Sequence, residues 1–140
     1  MYLLIRHNNY SRLGSIVGSI VFSFSGAIAS ITAVGMLPFL YATYIPFIFL
    51  YLQKTLESKK GLFLNSLLGG SFLALAYYGG YQVPLLILPF IVLFILTSSI
   101  KDRNITILLR GMLFLFAFVL IASPKLALNI QLSSEYPRFT

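Results

Sequence analysis

Long apolar runs fill most of this chain, and short polar connectors separate them. Each run has 17 to 23 residues, which matches the roughly 20 residues that a helix needs to cross about 30 Å of hydrocarbon. Because backbone groups in lipid need partners within the chain, and the runs lack the alternation of barrel strands, we predict α-helices. The fold class is therefore predicted to be all-α and polytopic, a single transmembrane domain over residues 1–140 with about five membrane spans. The predicted spans are 13–35, 36–53, 62–78, 83–100 and 105–123, followed by an outer tail at 124–140.

Three details of these spans depend on more than run length. The first run is long for one helix, so residues 27–35 could form a separate segment on the outer face. Arg110 lies inside the fifth run, six residues from its start, and we expect its side chain to reach the nearby interface. The apolar positions of the tail fit both a strand and a helix: Leu126, Leu128, Ile130 and Leu132. Periodicity alone leaves that choice open.

Composition narrows the class of protein. The chain is 59% hydrophobic and only 9% charged, whereas soluble domains carry about a quarter charged residues. We therefore expect an integral membrane protein whose first partner is the lipid bilayer. The net charge of +7 comes from clusters between apolar runs, so we expect no binding to nucleic acid.

The basic residues predict the orientation. They precede the first span and follow the second and fourth spans, whereas the opposite turns carry no charge. Cytoplasmic connectors are enriched in Lys and Arg. We therefore predict a multi-pass protein of the cell membrane, with the N-terminus in the cytoplasm and the C-terminus outside. The basic residues that support this orientation are Arg6, Arg12, Lys54, Lys59, Lys60, Lys101, Arg103 and Arg110.

Small residues in the first span recur at helical spacing. Positions four apart lie on neighbouring stripes of a helix, where small side chains let another helix approach closely. We predict a helix-packing face here, with a ligand groove as the lesser alternative. The residues of this face are Gly14, Ser15, Gly18, Ser19 and Ser23.

Candidates for chemistry are few. The chain has three acidic residues, one histidine and no cysteine, so disulfides and thiol chemistry are excluded, and we predict no metal site and no cofactor. Glu57 and Asp102 fall in separate basic connectors, where we interpret them as solvated partners of lysine and arginine. Glu135 is alone on the predicted outer side. We therefore expect no paired-carboxylate mechanism and assign no catalytic residue.

The predicted outer face carries a modest set of polar side chains. One interpretation is an aromatic belt at the membrane interface. The other is a pocket for an anionic headgroup, in which Lys125 or Arg138 binds a phosphate. The candidate substrate-binding residues are Tyr81, Gln82, Lys125, Glu135 and Arg138.

Several short motifs together resemble the bacterial YfhO-like membrane proteins, which belong with the glycosyltransferases of the GT-C type. They are the Phe-Ser-Gly at residues 24–26, Pro46 in the following span, the Gly-Gly-x-Gln turn at 79–82, and the Pro-Lys at 124–125. Family turns often have His where this chain has Tyr81. The resemblance implies transfer of a sugar from a polyprenyl-phosphate carrier on the outer face, and an amphipathic helix on the outer leaflet for the tail.

Relatives of this kind are longer, and their catalytic acid is expected in a first outer loop that would precede Met1. The resemblance thus implies an interior fragment or truncated form that is inactive alone and whose partners are other helices of a longer chain. Two alternatives remain at this stage. One is a small non-enzymatic membrane subunit that packs against a larger protein. The other is a fragment of a transporter, which the lack of an acidic residue within the spans disfavours.

Overall fold

The computed structural model describes residues 1–25, 37–57, 61–80 and 82–135, with the backbone alone at 37–40 and 132–135. Secondary structure within these ranges is entirely helical, which confirms the all-α class. In chain order the elements are α1 (Tyr2–His7), α2 (Arg12–Ser23), a 3-10 helix (Leu37–Tyr44), α3 (Ile45–Glu57), α4 (Leu62–Gly79), α5 (Gln82–Lys101) and α6 (Ile105–Glu135).

Among the described residues, three helices are long and apolar enough to cross a membrane: α4, α5 and the Ile105–Gln131 part of α6. They correspond to the last three predicted spans. The second predicted span instead consists of the 3-10 helix followed by α3, which has 13 residues. The first is represented by the 12 residues of α2, and its remainder, including 27–35, lies largely outside the described residues. Five spans are therefore not confirmed.

The helices of the bundle alternate in direction. Gly69 and Gly70 of α4 lie against Phe114 and Phe118 of α6, and later α4 residues contact later α6 residues, so these two helices run parallel. Helix α5, which lies between them in sequence, runs in the opposite direction, and the C-terminal end of α3 contacts the beginning of α6. One end of the bundle thus holds the ends of α3 and α5 and the beginnings of α4 and α6. We call it the basic end, and the opposite end the tyrosine end.

Glycine allows the closest contact between α4 and α6. A Cβ atom at Gly70 would lie 2.8 Å from the backbone nitrogen of Phe118, and one at Gly69 would collide with the ring of Phe114. Small residues permit this backbone approach between membrane helices. The sequence signal, a Gly-Gly pair in an apolar run, was present but was not assigned to packing.

The packing face predicted on the first span is realised only in part. Ser15 is fully buried, and a Cβ atom at Gly18 would lie 2.6 Å from Ile5 Cδ1 of α1. Ser19 is half-buried, whereas Gly14 and Ser23 are exposed. The small residues of α2 therefore pack mainly against the short helix α1 of the same chain.

Helix α6 continues through Pro124 to Glu135, so the predicted end of the fifth span at Ser123 is not an end of the helix. Proline lacks the N–H that would bond the carbonyl of Leu120 four residues earlier. Ser123 compensates, because its hydroxyl donates to that same carbonyl oxygen at 2.8 Å. Hydroxyl groups commonly satisfy backbone groups that proline frees in membrane helices. The described part of the tail is thus helical, and it extends α6.

Candidate functional site

The ammonium group of Lys125 binds the C-terminal end of α4 at the tyrosine end. Its Nζ atom donates to the carbonyl oxygens of Tyr77 at 2.9 Å and Tyr78 at 2.8 Å. It also lies 5.2 and 5.7 Å from the centroids of the two tyrosine rings. The last carbonyls of a helix lack intrahelical partners and carry partial negative charge. Lys125 therefore caps α4 from a neighbouring helix, a role that the sequence did not indicate.

Two further hydrogen bonds fix this contact. The amide of Asn129 donates to Tyr77 Oη at 2.8 Å, and Tyr78 Oη donates to the carbonyl oxygen of Ile121 at 3.2 Å. Tyr77 is buried, and its ring meets Phe118 edge-on. One turn of α4 and about two turns of α6 thus form a single polar cluster. We call Tyr77, Tyr78, Lys125 and Asn129 the tyrosine cluster.

The other predicted substrate-binding residues join this cluster only in part. Gln82 is the half-buried first residue of α5 and comes four residues after Tyr78. Glu135 ends α6, and its side chain lies outside the described part of the structure, as do Tyr81 and Arg138. Asn129 was not among the residues predicted for this face. The sequence feature that could have indicated Asn129 is its position one helical turn after Lys125.

A cleft lies at the basic end of the bundle. It encloses about 440 Å³ between α1, α3, α5 and the beginning of α6. Its polar lining consists of Asn8, Gln53, Glu57, Thr97, Ser98, Lys101 and Asp102. Four segments that are distant in sequence line this cleft, so no local sequence motif predicts it.

The cleft adds one relationship between the two carboxylates that the sequence did not indicate. Glu57 and Asp102 were placed in separate connectors, yet both line this one cleft. Glu57 Oε2 lies 3.0 Å from His7 Nε2, so the single histidine is the close neighbour of this carboxylate. Next to this pair the amides of Asn8 and Gln53 meet at 3.1 Å. These contacts join α1 to α3.

Arg110 caps a helix in the same manner as Lys125, at the other end of the bundle. Its Nη1 atom donates to the carbonyl oxygen of Leu56 at 2.7 Å, in the last turn of α3. Its guanidinium therefore binds the end of a helix. That this side chain also reaches the membrane interface stays a prediction. The two cations of α6 are about 22 Å apart along its axis, and each binds the C-terminal end of a different helix.

No protein-family model, curated protein or solved structure matches this chain. The site therefore has to be judged by its own chemistry.

That chemistry favours binding of anions at the tyrosine end. Within the described ranges, no three His, Cys, Asp or Glu side chains are grouped in a way that would hold a metal ion. The tyrosine cluster offers an ammonium group, an amide and two phenols at the end of an apolar helix pair. Cationic and neutral donors of this kind suit a phosphate.

Proposed function

We propose that this chain forms part of a membrane glycosyltransferase of the GT-C type, in which α4 and α6 hold the phosphate of a polyprenyl-phosphate sugar. One observation carries the proposal. Lys125, of the Pro-Lys motif at 124–125, binds the carbonyls of Tyr77 and Tyr78, which directly precede a second motif of the family resemblance, the Gly-Gly-x-Gln turn at 79–82. The contact supports a shared role for segments almost fifty residues apart.

The donor count of Lys125 leaves room for a ligand. An ammonium group has three N–H donors, and two of them bind the carbonyls of α4. Among the described residues, the third donor and the second N–H of the Asn129 amide have no hydrogen-bond partner and can bind a phosphate oxygen. Tyr78 is 44% exposed, so the cluster is open to a ligand from at least one side.

The depth of the cluster suits a lipid carrier. Lys125 lies 20 residues after the first residue of α6, about 30 Å along a helix and thus one hydrocarbon thickness. A polyprenyl chain stays in the hydrocarbon while its phosphate stays at this boundary. With the basic end in the cytoplasm, as the connectors predict, the boundary at Lys125 is the outer one.

The proposed role is binding and not the chemical step. In sugar transfer the bond between the anomeric carbon and the carrier phosphate breaks, and the acceptor gives up a proton. We assign neither step to a residue of this chain. Lys125 would stabilise the charge that grows on the departing phosphate.

A photoreactive polyprenyl phosphate with a diazirine near its phosphate tests the proposal on the chain in liposomes. We expect labelling of α4 and α6 near the tyrosine cluster, several-fold weaker in Lys125→Met and retained in Lys125→Arg. Lys101→Met, a cation removed at the opposite end, is the matched control, and Tyr77→Phe tests for general disturbance of the cluster. Equal labelling by the corresponding polyprenyl alcohol, which lacks the phosphate, would overturn the proposal.

A second candidate, a non-enzymatic subunit that packs against a larger membrane protein, is favoured by the surface of α2. Val17 and Val21 of this helix are 52% and 64% exposed, and its small residues already contact α1. Gly18→Leu would press on Ile5 and therefore disturb this chain as well as a partner. Val21→Trp is the better test: loss of a stoichiometric partner in mild detergent, but not with Leu93→Trp on α5, would favour the subunit.

A further inference from the structure

A second groove lies at the basic end, between the beginnings of α4 and α6. It encloses about 300 Å³ and is lined by Leu62, Thr106, Leu109, Arg110 and Leu113. Three of these five side chains are leucines, one is a hydroxyl and one is a guanidinium. Apolar walls with a single cation at one level are the complement of a lipid with an anionic headgroup.

The guanidinium keeps donors for a ligand. Arg110 has five N–H donors in a planar fork, and its Nη1 atom binds the Leu56 carbonyl at 2.7 Å. That bond also fixes the side chain, so little further ordering is needed when an anion binds. Arg110 is half-buried, which reduces competition from water.

The surroundings raise the positive potential of the groove. Leu62 is the first residue of α4, and Gly61 before it provides no side-chain cap, so the first amide groups of α4 add partial positive charge. Lys101 ends α5 and Arg103 lies in the connector before α6; both are exposed, with the acidic Asp102 between them in sequence. Anionic headgroups are attracted to such juxtamembrane clusters, by about 1 kcal/mol for each basic residue near the surface.

The apolar part of the groove continues along α6 toward the middle of the bundle. Leu109, Met112 and Phe116 are each about 60% exposed and follow one another at helical spacing on one face. An acyl chain with its phosphate at Arg110 would lie along this stripe. The groove thus has one position for the headgroup phosphate and another for an acyl chain of the same lipid.

We infer that this groove binds an anionic glycerophospholipid of the leaflet that faces the basic end, with its phosphate on Arg110 and one acyl chain along Leu109, Met112 and Phe116. This site is separate from the proposed carrier site, because it lies at the other end of the bundle. Its occupant would hold the beginnings of α4 and α6 to the end of α3. The inference does not depend on glycosyltransferase activity.

Native mass spectrometry of the chain, released from nanodiscs that contain equal amounts of phosphatidylglycerol and phosphatidylcholine, tests the site. We expect phosphatidylglycerol adducts to exceed phosphatidylcholine adducts by about fivefold or more. Leu109→Trp fills the groove without touching the cap of α3 and should remove this preference. Leu120→Trp, equally exposed on the same helix but distant from the groove, should retain it.

Arg110→Gln tests the charge, with circular dichroism to confirm that the variant is folded; if it does not fold, the Leu109→Trp result decides. Equal binding of the two lipids, or a preference unchanged in Leu109→Trp, would overturn the inference. Release of the lipid by millimolar inorganic phosphate alone would show a simple anion site and would also overturn it.

Discussion

The Nζ atom of Lys125 lies 2.8 Å from the carbonyl oxygen of Tyr78, 47 residues earlier in the chain. A charged side chain of one long apolar helix thus completes the hydrogen bonding of another. At the opposite end Arg110 does the same for Leu56 of α3. In an apolar environment an unpaired carbonyl and an unpaired cation both cost free energy. Each of these contacts gives the carbonyl a donor and the cation an acceptor.

Removing the cation at Lys125 should destabilise the bundle. Lys125→Met keeps the length of the side chain but leaves the carbonyls of Tyr77 and Tyr78 without this donor. We expect a loss of about 1 to 3 kcal/mol in the free energy of unfolding, the range for hydrogen bonds with a charged partner. Reversible unfolding in mixed SDS and dodecyl maltoside micelles measures it. Lys101→Met should change this free energy little, and an equal loss in both variants would contradict the capping role.

The orientation can be tested directly because the chain has no cysteine. Single substitutions Lys101→Cys and Leu128→Cys place one thiol near each end of the bundle, both at exposed positions. With the basic end in the cytoplasm, a membrane-impermeant maleimide added to intact spheroplasts should label Leu128→Cys but not Lys101→Cys. Both should react after lysis. The reverse pattern in intact cells would mean that the predicted orientation is wrong.

The long helices follow closely from the sequence. The predicted spans at 62–78 and 83–100 begin and end within one residue of α4 and α5, because Gly61, Gly80 and Lys101 interrupt the apolar runs there. These helix boundaries could be predicted because they depend on residues that are close to one another in sequence. Run length and helix-terminating residues are local properties that a single sequence displays.

The contacts between helices do not follow in this way. Lys125 was chosen from the sequence as a candidate, but its carbonyl partners on α4 depend on how two parallel helices are aligned. The cleft at the basic end likewise needs four segments to converge. Composition fixes which side chains are present, whereas the close contact at Gly69 and Gly70 decides which of them meet.

Close packing at Gly70 should tolerate no added methyl group. A Cβ atom there would lie 2.8 Å from the backbone nitrogen of Phe118, and backbone cannot move aside as a side-chain tip can. We expect Gly70→Ala to lower the free energy of unfolding by about 1 to 3 kcal/mol, the usual cost of overpacking. Gly14→Ala is the control, because its nearest neighbour is the side-chain oxygen of Ser11 at 3.1 Å on an exposed turn. If both variants unfolded alike, close approach of α4 and α6 would not be the cause.

The continuity of α6 should depend on Ser123 only while Pro124 is present. The Ser123 hydroxyl donates at 2.8 Å to the Leu120 carbonyl, which Pro124 cannot bond because it lacks an N–H. We therefore expect Ser123→Ala to cost about 1 kcal/mol in the natural background, the typical contribution of one hydrogen bond. In the Pro124→Ala background, the new alanine N–H can bond Leu120, and the same substitution should cost close to nothing.

A double-mutant cycle of these two substitutions, measured by SDS unfolding, isolates the coupling. Thr97→Ala is the matched control, because its hydroxyl donates to the carbonyl of Leu93 at 2.9 Å in a helix turn without proline. Its cost should be the same with Pro124 or with alanine at position 124. If the cost of Ser123→Ala is also independent of position 124, the hydroxyl does not compensate for the proline, and another contact must keep α6 continuous to Glu135.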